Sequence, residues 1–367
     1  MVPVAAKAPK YRQIYGALER DIQAGRWKPG QRLPSEADLV GQFGASRITV
    51  GRAVRDLQLA GLVERRAGSG TYVKAIERAV GGLSFGLLIP ELGETEIFEP
   101  ICQGMMESPL ARTHALVRGS LNGGGARDEQ AWDLCRQYID RKVSGVFFAP
   151  LEFAPLKDEM NRRITDALDA ARIPVVLLDR TVGPYPERGR YDLVALDNRG
   201  AGYAVTEHLL RLGARRIAFV GVPNAAATVE ARVAGYREAL YAWDAPFERA
   251  FVHRLDPADA GSVRALMAAT RPDAIVCAND RTAARLMHTL IELGHGLPRD
   301  VRLAGFDDLE YARLLPVPLT TIRQPTRQIG AAALAAMLDR VSGADIPTRD
   351  ILLHGTLVVR QSSGDGQ

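Results

Sequence analysis

Two groups of residues in this 367-residue chain have the types and spacing to do chemistry. In both, the chemistry is hydrogen bonding rather than bond making. The first group is Ser35, Ser46, Arg47, Thr49 and Arg52 with Gly68, Ser69 and Gly70, all within LPSEADLVGQFGASRITVGRAVRDLQLAGLVERRAGSGTYV, residues 33–73. Hydroxyls, guanidiniums and glycine backbone amides are donors that phosphate oxygens and base edges accept from. The second group ends short apolar runs: Asp179, Asp197, Asn279 and Asp307. Each alone reads equally well as a helix cap or a turn residue. Several such positions recurring in one domain point to a polar cleft that binds a small molecule.

The elements that must hold the first group are legible. Ser35 with Asp38 has the form of a capping box, and Leu39, Val40 and Phe43 follow at helical spacing. Gly44-Ala45 makes a turn, and Ser46 caps a second helix. Val50, Val54, Leu57 and Leu59 are expected to face inward, with Arg47, Thr49, Arg52 and Arg55 outside and at the ends; Gly61 stops this helix. Leu62–Arg66 and Thr71–Lys74 read as strands joined by the hairpin Ala67-Gly68-Ser69-Gly70. An earlier helix carries the stripe Tyr11, Ile14, Tyr15, Leu18, Ile22. Two helices, a tight turn and a two-stranded wing form a shape that lays one helix in the major groove of DNA. Charge agrees: up to residue 78 there are 14 Lys and Arg against 7 Asp and Glu, a balance of +7 in a chain whose net charge is +4, leaving −3 for the rest. Basic charge is concentrated where phosphate would be met.

The elements behind the second group come after a change of character at residues 75–83, AIERAVGGL, read as a linker. Apolar runs then recur with helical patterns between them: Ser84–Ile89, Gly145–Ala149, Pro174–Leu178, Leu193–Leu196, Arg216–Val220, Ala274–Cys277 and Val301–Gly305. Strand then helix, repeated, means parallel sheets covered on both faces, with ligands beyond the carboxyl ends of the strands. No run of about eighteen apolar residues suggests a membrane span, and MVPVAAKAPKYRQ has no export pattern. Cys102, Cys135 and Cys277 are odd in number and far apart, as expected of buried thiols in the cytoplasm rather than of a disulfide framework or zinc site. Gly123-Gly124-Gly125 lacks phosphate-loop spacing, and neither H-E-x-x-H nor G-x-S-x-G occurs. No pair of carboxylates and no nucleophile with a base has catalytic spacing, so an enzyme, a metal and a cofactor are not expected. His208 reads as a packed core imidazole, His253 as a strand residue, and Tyr241 and Trp243 as core or helix-end residues.

Residues 11–73 resemble the winged-helix head of the GntR family, through PGQRLPSE (29–36), SRITV (46–50) and GSGTYV (68–73). The resemblance implies that Arg47 and Thr49 meet bases and phosphate and that Gly68 or Gly70 enters the minor groove. The chain departs from the family at Ala37 and Gly51, where members often carry Arg. From about Ser84 onward the chain resembles the LacI/GalR effector domain, itself similar to periplasmic binding proteins. The matching pieces include IPVVLLDR (173–180), LDNRGAG (196–202), ANDRTA (278–283), GFDD (305–308) and LTTIRQ (319–324). The arrangement is similar to that of arabinose repressors.

The fold implied is an α+β winged helix-turn-helix domain, residues 1–74, a linker, 75–83, and an α/β two-lobed domain of two Rossmann-like parallel sheets, 84–367. Lobe 1 would span about 84–196 and 326–360, and lobe 2 about 197–325. The resemblance implies a ligand ring of Asp179, Arg180, Arg232, Asn279, Asp307 and Gln324, with Phe98, in the loop after the first strand, on the ligand's apolar face. The loop ELGETEIFEP (91–100) is unusually acidic for a sugar binder, through Glu91, Glu94 and Glu96. The expected partners are double-stranded operator DNA, a small-molecule effector such as a sugar, and a second copy of the chain in a homodimer. The implied function is a ligand-responsive regulator of transcription; a binding protein without gene control, and an activator, are the other readings. Arg47→Ala is expected to weaken operator binding alone, and Arg180→Ala ligand binding alone.

Overall fold

The computed structural model describes residues 10–23, 26–27, 30–59, 62–66, 69–73, 82–90, 96–119, 127–153, 156–183 and 189–364. The chain divides into two compact units, Met1–Gly81 and Gly82–Gln367.

In the first unit, α1 (Lys10–Gln23), α2 (Glu36–Phe43) and α3 (Arg47–Leu59) precede β1 (Val63–Arg66) and β2 (Gly70–Val73). Ile14, Leu18 and Ile22 of α1 pack with Val50, Ala53, Val54 and Leu57 of α3, and Leu33, Leu39, Val63 and Val73 close the core. The capping box at α2 is present: Asp38 N–H donates to Ser35 Oγ at 3.2 Å, and Ser35 N–H to Asp38 Oδ2 at 3.0 Å. Gly44 turns the chain in the left-handed region at φ 54°. Ser46 Oγ then accepts from Thr49 N–H at 3.2 Å and opens α3. β1 and β2 pair antiparallel in the register Val63 opposite Val73. The Leu59 side chain and Gly61, expected to face inward and to stop α3, lie outside the described residues.

The second unit runs β3 (Ser84–Leu88), α4 (Phe98–Glu107), β4 (Ala115–Val117), α5 (Arg127–Asp140), β5 (Gly145–Phe148), α6 (Lys157–Ala170), β6 (Val175–Leu178) and β7 (Asp192–Leu196). There follow α7 (Asn198–Arg211), β8 (Ile217–Gly221), α8 (Ala227–Ala242), β9 (Val252–Arg254), α9 (Ala260–Thr270), β10 (Ala274–Cys277), α10 (Asp280–Glu292), β11 (Arg302–Asp307) and β12 (Thr320–Arg323). α11 (Thr326–Val341), β13 (Asp350–Leu353) and β14 (Thr356–Val358) complete it. The strands form two sheets, ordered β13-β7-β6-β5-β3-β4 and β14-β12-β11-β10-β8-β9. Every pairing in them is parallel except β14 on β12. Each sheet has a core on both faces, because alternate residues of a strand point opposite ways. Phe147 enters one core of the first lobe while Val146 and Phe148 enter the other. In the second lobe Val276 and Ile275 divide in the same way.

The two lobes share one packing device. α4 crosses α11 at Gly104 and Gly330, and α7 crosses α8 at Gly202 and Gly235. A Cβ at Gly330 would overlap the Ile101 carbonyl oxygen, and one at Gly235 the Arg199 carbonyl oxygen. Only glycine lets these backbones approach so closely.

One expected boundary is corrected. The return segment of lobe 1 does not continue to residue 360. β13 pairs with β7 in the first sheet, but β14 pairs with β12 in the second, so the chain crosses back at His354–Gly355. Gly355 is wedged there: a Cβ would lie 2.5 Å from Ile322 Cγ2 and 3.0 Å from Leu196 Cδ1, one contact on each sheet. The short strands β4, β13 and β14 were not anticipated. They pair at or beside sheet edges with few fully buried residues, so they carry little hydrophobic signal. Among the described residues no helix is long and apolar enough to cross a membrane.

Candidate nucleic-acid interface and ligand cleft

In the head, α3 is held by its buried stripe, which leaves Arg47, Arg52 and Arg55 exposed. The Arg52 guanidinium lies 4.0 Å over the Tyr11 ring, a cation–π contact that joins α3 to α1. Thr49 is half-buried, and its hydroxyl is 2.8 Å from Ser46 Oγ. Ser35 and Ser46 thus both serve as helix caps. In the wing, Ser69 Oγ is 2.6 Å from the Tyr72 hydroxyl. Gly70 has φ 123°, and a Cβ there would meet Arg32 Nε at 2.6 Å, so the position demands glycine. Gly68 lies outside the described residues. An Arg65–Glu36 ion pair ties β1 to α2, a link not evident from sequence. A Cβ at Gly51 would lie 3.8 Å from Glu36 Oε2, so a longer side chain at this departure from the family would meet a carboxylate.

The cleft is built from strand ends. Asp179 follows β6 and Asp307 is the last residue of β11; both are non-glycine residues at positive φ, 67° and 112°. Such backbones are costly and cluster at functional sites. From lobe 1, Arg180 donates from Nε to the Pro150 carbonyl at 2.6 Å and from a terminal nitrogen to Glu152 Oε1 at 2.7 Å. The same nitrogen is 3.4 Å from Asp179 Oδ2. From lobe 2, Arg232 on α8 donates from Nε to Asn198 Oδ1 at 2.8 Å and from a terminal nitrogen to the Ala278 carbonyl. Its other terminal nitrogen is 3.8 Å from Asp307 Oδ1. Gln324 Nε2 donates to Asp307 Oδ1 at 2.7 Å, while Gln324 Oε1 is buried with no hydrogen-bond partner.

Electrostatics shows that the two lobes face one another. Burial pushes the Asp179 carboxyl up, opposed by Arg180 of its own lobe and Arg232 of the other. Burial likewise raises Asp307 to about 6; Arg232 and the Gln324 hydrogen bond oppose this, and Asp179 and Glu152 reinforce it. On one side the lobes are joined directly. Phe153 N–H donates to the Asn224 carbonyl at 3.0 Å, and Lys157 Nζ donates to the Ala225 carbonyl at 2.6 Å. Three carboxylates, two guanidiniums and an unsatisfied amide oxygen therefore converge from both lobes. Such a set can hydrogen-bond several hydroxyls of a small polar molecule at once.

The structure brings Asp179, Arg180, Arg232, Asp307 and Gln324 together. Asn279 is half-buried and serves as the cap of α10, its Oδ1 accepting from Thr282 N–H at 2.8 Å. Phe98 is not in a loop: it is the first residue of α4, fully buried, with the Arg180 guanidinium 5.5 Å over its ring. Its ring underlies the arginine. Asp197 takes the plainer of its two readings and caps α7 through Gly200 N–H at 2.9 Å. His208 is half-buried rather than a core residue, with Nε2 3.0 Å from Ser363 Oγ. Tyr241 is exposed and Trp243 partly buried at the end of α8. The sequence reading missed Glu152 and Asn198. Glu152 comes just after the run Gly145–Ala149, so the strand-end rule that found Asp179 would have found it too. The three cysteines are buried and free. Among the described residues no group of three ligating side chains could hold a metal.

Comparison with known proteins agrees with both halves. Residues 10–73 match the model of bacterial regulatory proteins of the gntR family, and residues 206–363 match a periplasmic binding protein-like domain. The chain is 28% identical over 97% of its length to the arabinose metabolism transcriptional repressor of Geobacillus stearothermophilus, covering 98% of that protein. It is 27% identical over 89% of its length to the HTH-type transcriptional regulator MalR of Streptomyces coelicolor, covering 96% of it. Among solved structures it is similar to the transcriptional regulator CelR in complex with cellobiose, at TM-score 0.65 and 25% identity, covering 87% of this chain and 91% of that one. It is also similar to a GntR transcription regulator from Chromobacterium violaceum, at TM-score 0.60 and 28% identity, covering 76% of this chain and 99% of that one. Residues 10–73 are therefore a gntR-family regulatory domain, joined in one chain to a two-lobed periplasmic-binding-protein-like domain.

Proposed function

We propose that this protein is a cytoplasmic, ligand-responsive repressor of transcription. Its winged head grips operator DNA through Arg47, Thr49 and Arg52 on α3 and also through Ser35, Ser46, Gly68, Ser69 and Gly70. Its cleft binds a sugar or related small polar molecule, and occupancy of the cleft changes operator affinity. The observation that carries the ligand reading is the convergence of Asp179 and Arg180 from one lobe on Arg232, Asp307 and Gln324 from the other. Those groups pay for burial with strained backbones and raised carboxyls, a cost retained for function rather than for stability. The names of the relatives support the same reading: an arabinose metabolism repressor, and a regulator solved with cellobiose.

The active species proposed is a homodimer, because a single winged helix buries too little surface for tight, specific binding and two half-sites give an operator its symmetry. The ligand changes DNA affinity only by its differential affinity for the two states, typically about 1 to 3 kcal/mol, or roughly 5- to 150-fold. Fluorescence anisotropy on duplexes from the protein's own genomic neighbourhood, titrated with pentoses, hexoses and β-linked disaccharides, tests this. A duplex bound at low salt and released by one sugar is the expected result. A DNA affinity unmoved by a sugar that raises the protein's Tm would remove the coupling.

A further inference from the structure

Ile48 is the second residue of α3 and is 86% exposed. At 100° per residue, the buried stripe Val50, Ala53, Val54 and Leu57 spans roughly 140° to 240° around the helix from Ile48. Ile48 therefore stands at the pole opposite the core. Arg52 and Arg55 fall within about 40° of the same pole, about one and two turns further along, and both are exposed. A branched apolar side chain is thus held at the water-facing pole of a helix that sets the cations Arg52 and Arg55 near the same pole. It has no intramolecular packing role there: the stripe that secures α3 lies on the other side.

We propose that Ile48 reads a thymine, by packing against its C5-methyl group in the major groove. This rests on the proposed operator binding by the head. In helix-turn-helix docking the first residues of the recognition helix are those that reach base edges, and Ile48 lies in the first turn, directly after Arg47. The thymine methyl is the one apolar feature on the major-groove floor. Duplex DNA also meets the local charge: exposed Arg47, Arg52 and Arg55 would flank the contact and neutralise phosphates. A protein partner with an apolar surface would instead leave these cations at its rim without counter-ions.

The experiment uses the full chain. Operator sequences are selected from random duplexes, and each thymine is then replaced singly by deoxyuridine, which removes only the methyl group. At one position per half-site the replacement is expected to weaken wild-type binding roughly fourfold, the worth of one buried methyl. The Ile48→Ala variant should bind the unmodified duplex more weakly and show no response to deoxyuridine at that position. An exposed Ile-to-Ala change in a helix does not threaten folding. A wild type indifferent to every thymine methyl overturns the proposal. So does a response that survives in Ile48→Ala, or an Ile48→Ala variant whose only change is in oligomeric mass. A selection that returns no duplex at all is a different failure, that of operator binding itself.

Discussion

Asp307→Asn separates the stability of the second unit from its use. Asp307 sits at φ 112° with its carboxyl raised by burial from 3.8 to about 6, despite Arg232 at 3.8 Å and the Gln324 hydrogen bond. Below pH about 3.8 the carboxyl is protonated in both native and unfolded chains, and there is no penalty. Between 3.8 and about 6 the unfolded chain has lost a proton that the native state still holds, so native stability falls as pH rises. Above about 6 the penalty is complete. At about 1.4 kcal/mol per pKa unit, the shift sets a ceiling of roughly 3 kcal/mol. Asparagine is nearly isosteric, keeps an oxygen for Gln324, and carries no charge to bury. Thermal denaturation at pH 7.5 should show Asp307→Asn melting higher by about 2 to 6 °C, with the gain gone at pH 4. The effector should bind the variant about 10- to 100-fold more weakly, because a hydrogen bond to a carboxylate contributes about 1.5–3 kcal/mol. A variant less stable than wild type at pH 7.5, or a gain that is equal at both pH values, would refute the reasoning.

For the unaltered protein, effector affinity measured by calorimetry should fall as pH drops through about 6, since protonated Asp307 is a poorer acceptor. Arg180→Ala should not be the clean ligand-binding knockout that the sequence implies. It strips the counter-ion from Glu152 and Asp179, both buried, and should cost about 3–5 kcal/mol in urea unfolding. Arg47→Ala should weaken operator binding by about 1–3 kcal/mol in anisotropy titrations while the effector still raises Tm as in wild type. Gly235→Ala should force α7 and α8 apart and destabilise the second lobe by about 1–3 kcal/mol, seen as a lower Tm.

What could be read in advance were features encoded within a few residues. The capping box at Ser35 and Asp38, the left-handed Gly44 and the apolar stripe of α3 are local, and they define a winged head with no knowledge of the rest. The long buried strands announce themselves as unbroken apolar runs because helices cover both faces. Asp179 and Asp307 were visible as polar stops to such runs. Only the tertiary structure decided which polar stops meet. Asp197 and Asn279 spend their oxygens on helix N-termini, while Glu152 and Asn198 join the cleft. Glu152 and Arg180, 28 positions apart, meet within the first lobe, and Asn198 and Arg232, 34 positions apart, meet within the second. The final crossing at Gly355 was likewise hidden, since whether three-residue β14 pairs with one sheet or the other depends on which edge is open to it. Pairing across a sheet or a cleft is a long-range contact whose partners leave no periodic mark on one another.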